Sequence, residues 1–214
     1  MRKTSYAITF VATLATLILN ILSARLPDWL IAKYEFGNAQ YTVRYGLTER
    51  CERKFVSLPG PDGGSIYYED YSCRGFPLSV QDSCDGENRR FCAAWSSAQY
   101  FSEFGIGLAA LSIVALLIGV STHSRRRRIW RAVAGLVLLH AIFQVVVFGI
   151  VTDLYRKERF PAFEHAKPGS GFILNFVSWI VGLLVGFGVI ITGIAADKGK
   201  RWAAGNRYRP IGDA

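Results

Sequence analysis

The sequence predicts an all-α membrane protein: a four-helix transmembrane bundle carrying a small disulfide-bonded extracellular β-sheet. Three observations lead there. Four long stretches carry no charge, the basic excess lies on one side of them, and the cysteines lie on the other. The chain has 214 residues, 51% hydrophobic and 19% charged. Asp, Glu, Lys and Arg are absent from 7–24, 104–121, 132–151 and 171–196. A helix needs about 20 apolar residues to cross ~30 Å of hydrocarbon, and backbone groups in lipid must bond within the segment. Soluble cores do not segregate charge over runs this long.

The net charge of +9 is unevenly placed. Residues 1–6, 122–131 and 197–214 together hold twelve basic and two acidic residues. The long loop 25–103 holds nine basic and eleven acidic, and the loop 152–170 four and three. By the positive-inside rule the first three segments are cytoplasmic, both termini included, and the two loops are outside. The whole chain, 1–214, then reads as a single membrane domain. Its localisation is a multi-pass membrane, the plasma membrane through the secretory pathway. The first stretch also has some features of a signal peptide, but its 18 uncharged residues exceed the usual ~7–15. It reads as a retained span.

Cys51, Cys73, Cys84 and Cys92 all fall in the loop 25–103. Confinement to the oxidising side predicts two disulfides. Four cysteines permit three pairings, and their number alone does not choose one. Residues 39–50 are rich in strand-favouring side chains and read as a strand running to Cys51. A turn signal at 59–64 and a return strand over Ser65–Cys73 would bring Cys73 to face Cys51. Asp85-Gly86 suggests a tighter loop closed by Cys84 and Cys92. That arrangement favours Cys51–Cys73 and Cys84–Cys92. No asparagine lies in an N-x-S/T sequon, so N-glycosylation is not expected.

Trp29 just after the first span, followed by Gly46-Leu47-Thr48-Glu49-Arg50-Cys51, resembles the claudin signature W…G-L-W-x-x-C…C. Thr48 stands where that family has its second Trp, and the interval to Cys73 is longer than the family's. Asp153-Leu154-Tyr155 resembles the acidic-F-Y element after the third claudin span, with Pro161, Gly171 and Trp179 following in order. The chain is thus similar, over nearly its full length, to a broad superfamily. Its members include claudins, peripheral myelin and epithelial membrane proteins, calcium-channel gamma subunits and fungal four-span plasma-membrane proteins. The resemblance implies a left-handed bundle capped by the sheet. It also implies that Cys51 and Cys73 hold that sheet while Trp29, Gly46 and Leu47 seat it on the bilayer. The extra cysteine pair departs from claudins, as does the tail Ile211-Gly212-Asp213-Ala214, which lacks their C-terminal hydrophobic motif.

Within the spans, His140 and Gln144 share one helical face. Thr9, Thr13, Thr16 and Asn20 form a single stripe on the first helix. Without an intramembrane Asp, Glu, Lys or Arg, Asn20, His140 and Gln144 read as interhelical glue rather than an ion path. Gly182 and Gly186, continued by Gly193, read as helix packing, with homo-oligomerisation as the sharper alternative. Arg125, Arg126, Arg127, Arg128 and Arg131 fix topology and would attract anionic lipid on the cytoplasmic face. In the outer loop, Tyr67, Tyr68, Glu69, Asp70, Tyr71, Arg89 and Arg90 form a recognition surface, line an ion path, or make a solvated cap.

Enzymatic readings lack parts. His123, His140 and His165 fall at different depths or compartments, so no metal site or catalytic set is expected. No C-x-x-C or phosphate-cradling glycine loop is present, and no cofactor is expected. No nucleic-acid-binding module is present either. The expected function is non-enzymatic: organising membrane domains or cell-surface contacts through the outer loop. The expected partners are the lipid bilayer, anionic lipids, other membrane proteins or a second copy of itself. The alternatives are an accessory subunit of a larger channel, transporter or synthase, and an oligomeric pore.

Overall fold

The computed structural model describes residues 3–37, 39–59, 65–120, 123–164 and 166–204. Four long helices dominate: α1 Lys3–Arg25, α2 Arg89–Val120, α3 His123–Arg156 and α4 Ser170–Asp197. Each contains a stretch long and apolar enough to cross a membrane, namely Thr4–Arg25, Arg89–Gly119, Ile129–Arg156 and Ser170–Asp197. The shortest, at 22 residues, spans roughly 33 Å at 1.5 Å per residue. Five strands complete the order: β1 Leu30–Phe36, β2 Ala39–Tyr45, β3 Glu49–Pro59, β4 Ser65–Gly75 and β5 Ala166–Pro168. A 3-10 turn, Pro161–Phe163, precedes β5, and a short helix α5, Arg201–Ala204, follows α4.

The chain folds into two compact units with interleaved segments. One takes 1–20, 103–145 and 177–214, and the other takes 21–102 and 146–176. The first unit is helical, and its polarity is inverted relative to a water-soluble bundle. Thr9, Thr13, Thr16, Asn20, Ser112, His140, Gln144 and Ser178 are buried. Ile8, Val11, Leu111, Val114, Leu117, Leu184, Phe187 and Ile191 are exposed, each by more than half. Water would reward the opposite arrangement. Hydrocarbon rewards this one, because polar groups there must find partners inside the protein.

The second unit holds a five-stranded antiparallel sheet in the order β4-β3-β2-β1-β5. Leu30, Ala32, Val43 and Tyr45 point from one sheet face into a core completed by Leu47, Phe76, Phe91, Trp95, Phe160 and Phe163. The aromatic rings interlock. Phe91 stacks on Phe160 at 4.6 Å, and Tyr45 meets Phe163 edge-on at 5.2 Å. Strand β5 joins β1 at Leu30↔Pro168, so both loops expected outside contribute to one sheet.

Several expectations are corrected. The strand expected over 39–50 breaks after Tyr45, because Gly46 turns the chain and its N–H donates to the Glu49 carbonyl at 2.7 Å. A Cβ on Gly46 would lie 2.7 Å from the Pro27 backbone, so only glycine fits that close approach. Helix α2 runs from Arg89, well beyond the charge-free run 104–121 at its start. The arginine-rich segment forms the first turns of α3 rather than a loop. Charge-free runs mark where lipid would contact a helix, and helices continue beyond that limit into polar surroundings. Trp29 is fully buried instead of lying at a bilayer surface, and Leu47 is 1% exposed.

Candidate functional site

The sheet's cysteines pair as the hairpin suggests, Cys51 with Cys73 and Cys84 with Cys92. Cys51 and Cys73 are register partners across β3 and β4. Cys92 lies on the first turn of α2, so the second bridge pins that helix to the turn over 79–88.

Between the bridges lies a charged clamp that composition alone did not reveal. Asp82 is buried and accepts from both terminal nitrogens of Arg74, at 2.7 and 2.6 Å, and from the Leu78 N–H at 2.8 Å. Arg50 approaches it at 3.6 Å and also pairs with Glu52. Burial alone would push the Asp82 carboxyl up. The Arg74 and Leu78 hydrogen bonds and the Arg74 and Arg50 charges prevail and hold it below the usual carboxylate range. The same pairing raises Arg74 further. Arg50 lies 5.3 Å over the Tyr45 ring, whose hydroxyl burial pushes strongly up, against the opposing Arg50 charge. The sequence signal available was an Arg–Asp pair bracketing the turn between Cys73 and Cys84.

Trp29 closes the base of this unit. Its indole N–H donates to the Ser23 carbonyl at 2.7 Å, while the Ser23 hydroxyl donates to the Gly171 carbonyl at 2.7 Å. The Gly171 N–H donates to the Asp28 carbonyl at 2.9 Å, tying the end of α1 to the start of α4. Trp29, Gly46, Leu47 and Cys51 therefore form an internal framework.

The middle of strand β4 is exposed. Tyr68 and Tyr71 are 58% and 56% exposed. Arg53 donates to Glu69 at 2.7 Å, Lys54 sits 5.5 Å over the Tyr41 ring, and Asp70 is the register partner of Lys54. Arg89 and Arg90 are exposed at the start of α2, away from the hairpin strands in sequence. The Tyr67 side chain lies outside the described residues.

In the helical unit, Asn20 and His140 come together. The Gly105 carbonyl can only accept, so His140 Nδ1 carries the proton it receives, at 2.8 Å. Nε2 then accepts from the Asn20 amide at 3.0 Å. Gln144 is buried against Gly105, where a Cβ would collide with its amide. The Ser178 hydroxyl donates to the Thr16 carbonyl at 3.3 Å, adding a link that the sequence reading missed.

Gly182, Gly186 and Gly193 face α3. A Cβ at these positions would meet Ala141, Leu138 and the Trp130 ring, respectively. That face is thus spent on packing inside the unit. Arg131 lies 3.6 Å from Asp197 with its side chain largely exposed. The side chains of Arg125 to Arg128 lie outside the described residues.

Fold and site together define a multi-pass, four-helix membrane protein with a disulfide-stapled antiparallel sheet. In comparisons with known proteins, no family model and no curated protein matches the chain.

Proposed function

We propose that this is a non-enzymatic, claudin-like plasma-membrane protein that organises membrane domains or cell-surface contacts through its β3–β4 hairpin. Both termini and the arginine-rich start of α3 lie in the cytoplasm, and the sheet lies outside. One observation carries the reading. Two eleven-residue strands, stapled near the base of their hairpin by Cys51–Cys73, hold Tyr68 and Tyr71 more than half exposed. Exposed aromatics on a rigid scaffold suit recognition, because their apolar area is already ordered before binding. The basic excess of the opposite segments supports the orientation and the attraction to anionic lipid.

A second reading has its own observation. A groove of about 280 Å³ runs along α1 and α4, lined by Ser5, Thr9, Ala12, Gly188 and Thr192 among others. Small residues let a further helix approach closely in lipid, which favours an accessory subunit of a larger channel, transporter or synthase.

Replacing Tyr68 and Tyr71 with serine, in cells expressing the protein at their surface, separates the readings. The hairpin reading expects clustering at contacts or in patches to disappear. Clustering that survives the replacement, with one large partner co-purifying in mild detergent, overturns it.

A further inference from the structure

Strand β4 is the last strand on its side of the sheet, eleven residues long, and pairs with β3 without a bulge from Glu49↔Gly75 to Pro59↔Ser65. The opposite edge, β5, has three residues. Long open edges are a template for another strand, and proteins ordinarily blunt them with prolines, lysines or bulges. Strand β4 carries no proline and no lysine.

The phase of the ladder fixes which groups are open. The Phe76 N–H donates to the Thr48 carbonyl, extending the β4–β3 ladder by one bonded pair. Cys51 and Cys73 are 4.1 Å apart at Cα, the spacing of a non-hydrogen-bonded pair. Even-numbered residues of β4 therefore bond to β3. The N–H and C=O of the odd-numbered ones, Glu69, Tyr71 and Cys73, point outward. Among the described residues, no backbone bond meets these outward groups.

We propose that this edge joins a second copy of the chain, β4 against β4 antiparallel, with Tyr71 opposite its symmetry mate. A two-fold axis between antiparallel strands requires one residue to face itself. Centring on Asp70 would pair all eleven residues but set Asp70 against Asp70, at a position where side chains are closest. Centring on Glu69 sets glutamate against glutamate. Centring on Tyr71 pairs residues 67–75, the longest register with no like charge facing itself. It places Tyr68 opposite Arg74 and Asp70 opposite Ser72. The edge charges are already neutralised within each copy, Glu69 by Arg53 and Arg74 by Asp82, and Asp70 has Lys54 as its register partner. Two such edges do not repel each other, and they offer no net charge for a strongly acidic or basic partner to read. This pairing deepens the proposed function by naming a partner for the hairpin, and it needs only that β4 faces water.

The test uses the purified full chain in detergent, with oligomeric mass read by light scattering. Wild type is expected to be dimeric. Tyr71→Lys and Tyr71→Glu, each setting like charges together, should weaken the dimer by about tenfold or more, and mixing the two should restore it. Tyr71→Pro removes only an outward N–H and should give a folded monomer. Restoration on mixing also shows that both charged variants fold. A monomeric wild type overturns the proposal, as do variants that dimerise like wild type or a mixture of folded variants that stays monomeric. A wild-type chain that dimerises but forms no clusters on cells counts against the proposed function alone. A wild-type chain that is monomeric yet clusters counts against this pairing alone.

Discussion

Arg74 grips Asp82 with both terminal guanidinium nitrogens, at 2.7 and 2.6 Å, and so locks the end of β4 to the turn that carries Cys84. The carboxylate has no exposed side-chain surface, whereas Arg74 retains 25%. Breaking such a pair from the buried side strands the two arginines. Asp82→Asn should therefore lower stability by about 2–3 kcal/mol, less than a fully buried pair because Arg74 is partly solvated. Thermal unfolding in detergent measures it. A cycle with Arg74→Ala should show coupling of at least about 1 kcal/mol.

The same clamp predicts an acid limb. Asp82 is held below its ordinary value in the folded state, so its stabilisation is present above the unfolded carboxylate's ~3.9. It is lost as pH falls through the folded value. Unfolding midpoints followed from pH 7 to 3 should drop below about pH 4 in wild type. The drop should be visibly shallower in Asp82→Asn.

Asn20 and His140 bond inside the helical unit at 3.0 Å. Asn20→Ala should cost about 0.6–2 kcal/mol, the range for interhelical hydrogen bonds in membranes. Combined with His140→Ala, the loss should fall short of the sum, because one bond is being removed twice. Unfolding titrations in mixed micelles read both.

The α4 glycines should rank by what stands in front of them. Gly193→Ala drives a methyl into the rigid Trp130 ring, and Gly186→Ala meets Leu138 Cγ at 2.8 Å. Gly182→Ala meets Ala141 Cβ at 3.1 Å, and Gly188→Ala meets nothing within 4 Å. The expected order of destabilisation is 193, 186, 182, then 188. The first should cost about 1–3 kcal/mol, and the last should be neutral or slightly stabilising.

How much of this was legible in the sequence follows from which solvent wrote the pattern. Helix α4, expected at 171–196 and found at Ser170–Asp197, was readable because a span is apolar all round. The stripe Thr9, Thr13, Thr16, Asn20 was readable because polar groups in lipid turn inward together. The start of α2 at Arg89 was not, since its first turns are polar and carry Cys92. Strand β5 was hidden because three residues, one of them proline, carry no periodicity, and only β1 makes them a strand. Trp29 misled. A tryptophan beside a span is as well suited to an interface as to a core, and the Ser23 carbonyl that receives its N–H decides for the core.

The central claim is that the sulfur-bearing sheet and the arginine-rich start of α3 lie on opposite sides of a membrane. The direct measurement is labelling of intact cells with a thiol reagent that cannot cross the bilayer, before and after mild reduction. It is repeated on a variant with all four cysteines replaced by serine and Ser124→Cys as the only thiol. The account predicts that wild type is labelled only after reduction and that the Ser124→Cys variant is labelled only after permeabilisation. Labelling of the Ser124→Cys variant on intact cells, with none of the reduced sheet cysteines reached, would contradict it.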